Sequence, residues 1–225
     1  TLVANYVPKA DTSYVVRHWF QNVDDDDYSQ NLATYPDQTL TGTTDQQTSA
    51  QPYDVEGFTA QAVTQQTIAG DGSTVVDVYY DRNVYTVTYQ IIGDYFANDD
   101  YSHADYRYGA ALELIGDDMG QQGYVWTGWS GLPATMPAND VTVVGSYLAD
   151  TSSMAISGYS SAYDGLAHGV TVSGLLDSDE VAYFDVDGVE IDNRYVDVTS
   201  GAVPVTAVVT RDGYEIWSGT ATVQI

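Results

Sequence analysis

Short runs in which β-branched and aromatic residues alternate with polar ones recur along the whole chain, and they constrain its fold more than any other feature. Such runs, bounded by Gly, Asp or Asn, are typical of strands, whereas helical periodicity is scarce. A short helix is predicted at Gly109–Ile115 and a helical turn at Gln47–Ala50, so the expected class is mostly β or α+β. The clearest predicted strands are Tyr14–Trp19, Thr74–Tyr80, Val84–Ile92, Val141–Leu148, Val170–Ser173, Val181–Val186, Val203–Thr210 and Thr220–Ile225.

Two joins divide the chain into three predicted modules. The first join contains Asp81, Arg82 and Asn83 between two Tyr-rich strands, and it is either a tight turn or one strand passing from module to module. The second is the small polar run that follows Leu148. The predicted modules are residues 1–83, 84–149 and 150–225. Each is smaller than a comfortably self-sufficient domain, so packing between neighbours is expected to help stabilise it.

Charge and composition exclude several classes of partner. The chain has 32 acids against six Lys and Arg, for a formal net charge of -26. Nucleic acid is therefore excluded, because phosphate binding depends on Lys and Arg. No apolar run approaches the length of a spanning helix, so no membrane insertion is expected. An acidic surface is also one solution to solubility in high salt, which remains a minority explanation.

The chain contains no cysteine, so disulfides, thiolate chemistry and cysteine zinc sites are ruled out. A secreted eukaryotic chain of small modules usually carries disulfides, so an extracellular chain of this composition fits a bacterial surface protein better. Residues Thr1–Asn5 have neither a charged nor an apolar signal region, and any export signal or anchor is expected outside this chain.

Three consecutive stretches resemble repeats of bacterial surface adhesins. The first, which includes YVVRHWFQN, EGFTAQ and IAGDGSTVVDVYYDRN, resembles the mucin-binding protein (MucBP) repeat of Gram-positive surface proteins. The second, with GYVWTGWSGLPATMPANDVTVVGSY, resembles the Listeria/Bacteroides repeat of internalin B-type proteins. The third, with AYDGLAHGVTVSGLLDSDEVAYF, is similar to MBG-type repeats.

These resemblances imply tandem β-grasp (ubiquitin-like) modules, in which a mixed sheet wraps over a short helix, arranged as an elongated chain. For the third module a β-grasp fold and a small β-sandwich both stay open. The resemblances also imply display on a Gram-positive cell wall, with mucin or host glycan binding attributed to some MucBP members. A family does not by itself establish a site. The acidic run Asp24–Asp27 departs from the Gly-containing polar turn that MucBP sequences usually have at this point.

Acid clusters make calcium the cation to consider, because hard cations take carboxylate and carbonyl oxygens. The main candidates are Asp24, Asp25, Asp26 and Asp27, which would repel one another unless solvated, screened or bound to a cation. Further clusters are Asn98–Asp100, Asp117–Asp118 and the run that includes Asp185, Asp187, Glu190 and Asp192. The acids of this last run are equally well interpreted as the solvent-facing side of a β-hairpin with Gly188 at its turn. None matches an EF-hand loop.

Nothing in the sequence indicates catalysis. The three histidines fall one in each predicted module, so no module contains a pair. His18 is expected to face solvent or to pack beside a neighbour, and His103 and His168 are expected in loops. Trp126 and Trp129 could form a sugar-stacking platform, but core packing is the favoured interpretation.

The leading hypothesis is a non-catalytic stalk or adhesion segment, a monomer within a longer multidomain chain, that projects or contributes to binding of host mucin or glycans. The alternative is a glycan-binding, lectin-like module with a calcium-assisted acidic site in the first domain. No other cofactor is expected.

Overall fold

The computed structural model of the chain describes residues 7–116 and 119–225. The described residues form strands and irregular segments and contain no α-helix, so the prediction of a mostly β protein is confirmed. No helix with the length and hydropathy of a membrane span occurs in this part of the chain. The strands are β1 (Thr12–Gln21), β2 (Tyr28–Ser29), β3 (Gln38–Gly42), β4 (Phe58–Ala60), β5 (Val75–Arg82), β6 (Val84–Ile92), β7 (Asn98–Arg107), β8 (Tyr124–Trp126), β9 (Val141–Ala149), β10 (Ala155–Ser157), β11 (Tyr159–Ser160), β12 (Thr171–Ser173), β13 (Glu180–Phe184), β14 (Glu190–Ile191), β15 (Val203–Arg211) and β16 (Tyr214–Gln224).

The helix predicted at residues 109–115 is wrong. The backbone of this segment pairs with a facing segment instead: Leu112 N donates to Ala134 O (3.1 Å), and Met136 N donates to Ala110 O (2.9 Å). Hydrogen bonds between segments therefore override the local helix propensity of Ala, Leu and Glu. The helical turn predicted near Gln47 is also absent, since this residue forms an isolated bridge with Thr67.

The first sheet, β1 to β5, is mixed. Strand β1 lies at its centre, antiparallel to β2 and β3 and parallel to β5, and β4 pairs antiparallel with β5. Alternate residues of β1 and β5 point into one core, as the two-residue period of a strand requires. The buried members of this core are Tyr14, Val16, Phe20, Ala50, Val55, Ile68, Val76, Val78 and Tyr80.

Two further groups of strands follow. The second sheet has the order β7–β6–β9–β8. The third has the order β11–β16–β15–β13–β14, beside the two-stranded pair β10–β12. The core of the third sheet is built around Val170, Val205 and Val223. Each sheet draws its strands from one of the three predicted segments, and the division into three modules stays a prediction.

The first join is a direct passage between sheets. Strand β5 belongs to the first sheet and β6 to the second, with only Asn83 between them. Of the two readings of this join, the structure supports a chain that runs from one sheet into the next.

Close contacts divide the chain into two compact units. The first takes its described residues from the ranges 1–90, 99–116 and 129–144, and the second from 91–98, 117–128 and 145–225. Each predicted join therefore falls inside one compact unit.

Candidate functional site

The acidic loop between β1 and β2 is organised by hydrogen bonds within the protein. Asp25 Oδ1 accepts hydrogen bonds from Asn22 Nδ2 (2.8 Å) and from the backbone N–H of Asp27 (2.9 Å). The loop is closed by Asn22 N donating to Asp27 O (2.8 Å). Asp24–Asp27 are all exposed. Asp25 thus acts as a turn-forming side chain, a common role for Asp.

Arg107 of β7 supplies the positive charge at this loop. Its Nη2 forms an ion pair with Asp26, and its Nη1 donates to the backbone oxygen of Asp25. The Arg107 side chain is about one quarter exposed. An intramolecular cation therefore offsets part of the self-repulsion that the sequence predicted for the four aspartates.

Asp185 and Asp187 lie in a hairpin turn. Asp185 Oδ1 accepts hydrogen bonds from the N–H groups of Asp187 and Val189, both at 2.9 Å. Gly188 has a φ of 78°, which the turn requires and glycine adopts without strain. The predicted hairpin is confirmed by the β13–β14 pairing. The carboxylate of Asp185 is thereby used to form the turn.

Among residues 7–116 and 119–225, no three His, Asp or Glu side chains gather in an arrangement that could hold a metal ion. The cluster at Asp117–Asp118 lies outside the described residues. At the start of β7, Asp100 Oδ1 lies 2.9 Å from His103 Nδ1, and this contact raises the pKa of His103. His103 lies within strand β7 and is exposed, so the expectation that it lies in a loop is wrong.

His18 is fully buried, so of its two expected placements it packs beside neighbours and does not face solvent. Its Nδ1 lies 2.9 Å from the Tyr80 hydroxyl, and its ring centroid is 4.4 Å from that of Tyr53. Burial lowers the pKa of His18, against the opposing effects of Gln38 and Asp37. His18 is thus a core residue of the first sheet.

His168 packs against Tyr159 with ring centroids 3.8 Å apart, and its Nε2 lies 2.9 Å from Asp164 Oδ1. This hydrogen bond is the main cause of the lowered pKa of Asp164. His168 also pairs with Tyr195 through backbone hydrogen bonds. The three histidines therefore have three separate structural environments.

The outward face of the first sheet carries an ordered ladder of polar and aromatic side chains. Arg17 forms two hydrogen bonds with Asp77, and Trp19 Nε1 donates to the same carboxylate (2.7 Å). Trp19 stacks on Tyr79 with ring centroids 6.3 Å apart, and Tyr28 meets Tyr79 edge-on at 5.2 Å. This face combines half-exposed rings with a neutralised ion pair.

Beside the acidic loop lies an open cleft of about 280 Å³. In a chain so rich in acids, its lining contains no carboxylate. Sequence reasoning missed this site, although amide pairs bracket the acidic run in QNVDDDDYSQN. The cleft is lined by Phe20, Gln21, Asn22, Ser29, Gln30, Asn31, Tyr35, Phe58 and Arg82.

Of the two tryptophans favoured as core residues, Trp129 is buried and Trp126 is half-buried. Trp129 is 8% exposed and packs edge-on against Tyr89, with ring centroids 5.1 Å apart. Trp126 packs against Tyr147 at 4.9 Å. Neither belongs to the cleft.

Comparison with known proteins identifies no relative: no protein-family model matches the chain, and no curated protein matches it.

Proposed function

We propose that this chain is an extracellular stalk or adhesion segment of a Gram-positive bacterial cell-surface protein, anchored to the cell wall through regions outside the chain. The observation that carries the proposal is the tandem arrangement: consecutive segments form separate sheets, and only Asn83 separates the first sheet from the second. The segment would project a binding domain and contribute to the binding of host mucin or glycans. The resemblance to MucBP and related repeats points the same way.

The distribution of charge supports this role. Of the six Lys and Arg side chains, Lys9, Arg17, Arg107 and Arg211 pair with carboxylates of the chain itself. Arg82 donates to backbone oxygens. With 32 acids against six Lys and Arg, the chain keeps a large excess of negative charge, which keeps a projecting segment solvated and repels other anionic surfaces.

We also propose that the first sheet is a β-grasp sheet without its helix. A central parallel pair, formed by the first and the last long strand and flanked by antiparallel strands, is a mixed sheet of the kind that the resemblance implies. The irregular chain on either side of β4 contributes Ala50, Val55 and Ile68 to the core and takes the place of the helix.

Small-angle X-ray scattering of the whole chain tests the stalk. We expect a monomer whose radius of gyration clearly exceeds the roughly 17 Å of a compact domain of this length. A radius of gyration near the compact value, or a stable oligomer, would contradict the stalk.

The second candidate function, a lectin-like module, is favoured by the cleft beside the acidic loop. Amides and aromatic rings suit hydroxyl-rich ligands, because amides both donate and accept hydrogen bonds. Calcium receives no support from the geometry of Asp25 and Asp185, whose carboxylates accept backbone hydrogen bonds.

A mucin and glycan binding screen with the whole chain tests the lectin role. Binding that is lost in Gln30→Ala/Asn31→Ala but kept in the exposed control Asn139→Ala would support the cleft. Binding that both variants keep would exclude it, and loss on adding EDTA would restore the role of calcium. We further infer that the protein is not an enzyme, and hydrolytic turnover abolished by a single carboxylate substitution would overturn this inference.

A further inference from the structure

Three of the six strong cations of this acidic chain lie at the two joins between predicted segments: Arg82 and Arg107 at the first, and Arg211 at the second. Arg211 is only 2% exposed. Burying a guanidinium is costly unless its donors are satisfied, so the placement of these few cations needs a physical reason.

At the first join, Arg82 connects the first sheet to the end of β7 in the second. Its Nε donates to Gln21 O (3.0 Å) and its Nη1 to Tyr108 O (2.7 Å). The guanidinium lies over the ring of Phe58, with Cζ 4.6 Å from the ring centroid. Phe58 in turn contacts Tyr108 edge-on at 5.9 Å. One side chain therefore holds a backbone carbonyl of β1 and the backbone carbonyl of Tyr108, which directly follows β7.

The backbone reinforces the same join. Asn83 N donates to Gly57 O (2.9 Å), and Tyr108 N donates to Asn83 O (2.8 Å). Thr59 Oγ1 donates to the side-chain oxygen of Asn83 (2.7 Å). The single residue between the two sheets is thus tied to both neighbours, which opposes bending there.

At the second join, Arg211 has an equivalent arrangement. Its Nε and Nη2 donate to the two oxygens of Asp179 at 2.6 and 2.9 Å, and the Asp179 side chain is fully buried. Its Nη1 donates to the backbone oxygen of Gly123, which also accepts a hydrogen bond from Asp150 N (2.8 Å). The guanidinium lies over the ring of Tyr124 at 5.6 Å.

Both joins share one plan: an arginine of one segment donates to a backbone carbonyl of the adjoining segment and lies over an aromatic ring. We infer that Arg82 and Arg211 couple the segments on either side of each join, so that each pair of adjoining segments opens cooperatively. Adjoining domains usually move relative to one another unless their interface is extensive. The inference concerns cooperativity alone and stands whether or not the protein is a surface stalk.

Native-state hydrogen exchange on the whole chain tests the second coupling. Val205→Ala loosens the core of the third sheet, because Val205 is completely buried there. We expect this substitution to reduce the protection of β15 and β8 amides by the same factor, because coupled elements open together. With Arg211→Met/Asp179→Leu, which leaves no unpaired buried charge, only β15 should respond to Val205→Ala.

The first coupling is tested in the same way. Val16→Ala loosens the core of the first sheet, because Val16 is completely buried there, and should reduce the protection of β6 amides. In the Arg82→Met background, β6 amides should no longer respond to Val16→Ala. Arg194→Met, at an exposed arginine, is the matched control and should leave both responses unchanged. If β8 and β6 do not respond in the native background, or respond equally after uncoupling, the inference is wrong. Should the double variant unfold, Arg211→Lys replaces it, since lysine cannot make the three directed hydrogen bonds.

Discussion

Arg17 on β1 and Asp77 on β5 lie opposite each other in the parallel register and are joined by two hydrogen bonds, Nε–Oδ1 at 2.8 Å and Nη2–Oδ2 at 2.9 Å. Because residues directly opposite each other in a sheet point to the same face, both charges lie on the outward face, while Val16 and Val78 face the core. Asp77 also accepts from the Trp19 indole. The single carboxylate thereby orients both Arg17 and Trp19.

Asp77→Asn should destabilise the first sheet by about 1 kcal/mol, because it removes a charge-assisted bidentate pair that is partly screened by solvent. Denaturant unfolding measures this loss. The matched control is Asp11→Asn, whose pair with Lys9 is largely exposed and should contribute almost nothing. Equal effects of the two substitutions would show that the Asp77 geometry adds no stability.

The same pair predicts a dependence on pH. Burial acts to raise the pKa of Asp77, but the hydrogen bonds from Arg17 and Trp19 outweigh it, and the pKa lies below its usual value. This stabilisation is therefore present above the unfolded pKa of about 3.9 and is lost as pH falls through the folded pKa. Unfolding midpoints of wild type and Asp77→Asn should converge below pH 4.

His18 predicts a second loss of stability, at milder acidity. Because burial lowers its pKa, the unfolded chain binds a proton more readily than the folded chain. The stability it supports is present above the unfolded pKa of about 6.5 and falls as pH drops below that value. Urea midpoints of the wild type should therefore decrease from pH 7 to pH 5, and His18→Phe should flatten this profile.

His103→Gln is the matched control for His18, because Asp100 shifts the pKa of His103 in the opposite direction. A raised pKa contributes stability at low pH that is lost as pH rises, so removing His103 should steepen the acid loss slightly. If the decrease of the urea midpoint from pH 7 to pH 5 were unchanged in His18→Phe, the loss of stability could not be assigned to His18.

Strand periodicity predicted most of the long strands, since one buried face leaves a two-residue pattern in the sequence. Strand β6 was predicted at the same residues that it occupies, and β15 within one residue. Strand β7 was missed because its residues, NDDYSHADYR, are mostly exposed and carry no apolar alternation. Its place at the sheet edge is set by pairing with β6, which local sequence does not record.

The candidate site could be predicted only in part. The hairpin at Gly188 follows from local turn chemistry and was predicted. The ion-pair partner of Asp26 could not be predicted, because Arg107 lies far along the chain and contacts the loop only through the tertiary structure. The cleft has the same origin, since Phe58 and Arg82 join residues of the β1–β2 region there.

Substitutions at Gly57, which lies at the first join, and at Gly188, in the β13–β14 turn, distinguish the cost of backbone strain from the cost of a steric overlap. Both have positive φ, 75° and 78°. A Cβ on Gly57 would overlap the ring of Tyr108, whereas one on Gly188 meets no atom within 4 Å. Gly188→Ala should cost about 1 kcal/mol for the left-handed backbone alone, and Gly57→Ala about 1–3 kcal/mol more. Equal costs in denaturant unfolding would mean that Tyr108 is not packed against Gly57.

Arg107→Gln should open the acidic loop, because the substitution removes the cation that pairs with Asp26 and the donor to Asp25 O. The remaining aspartates would then repel one another without compensation. The amide proton of Asn22, which bonds to Asp27 O in the closed loop, should exchange several-fold faster. The exposed control Arg194→Gln should leave the exchange rate of the Asn22 amide unchanged.

Because 1 M salt shortens the screening length to about 3 Å, added salt should restore much of the protection of the Asn22 amide in Arg107→Gln. Faster exchange that salt does not reverse would show that Arg107 acts through its hydrogen bonds to backbone oxygens and not through its charge.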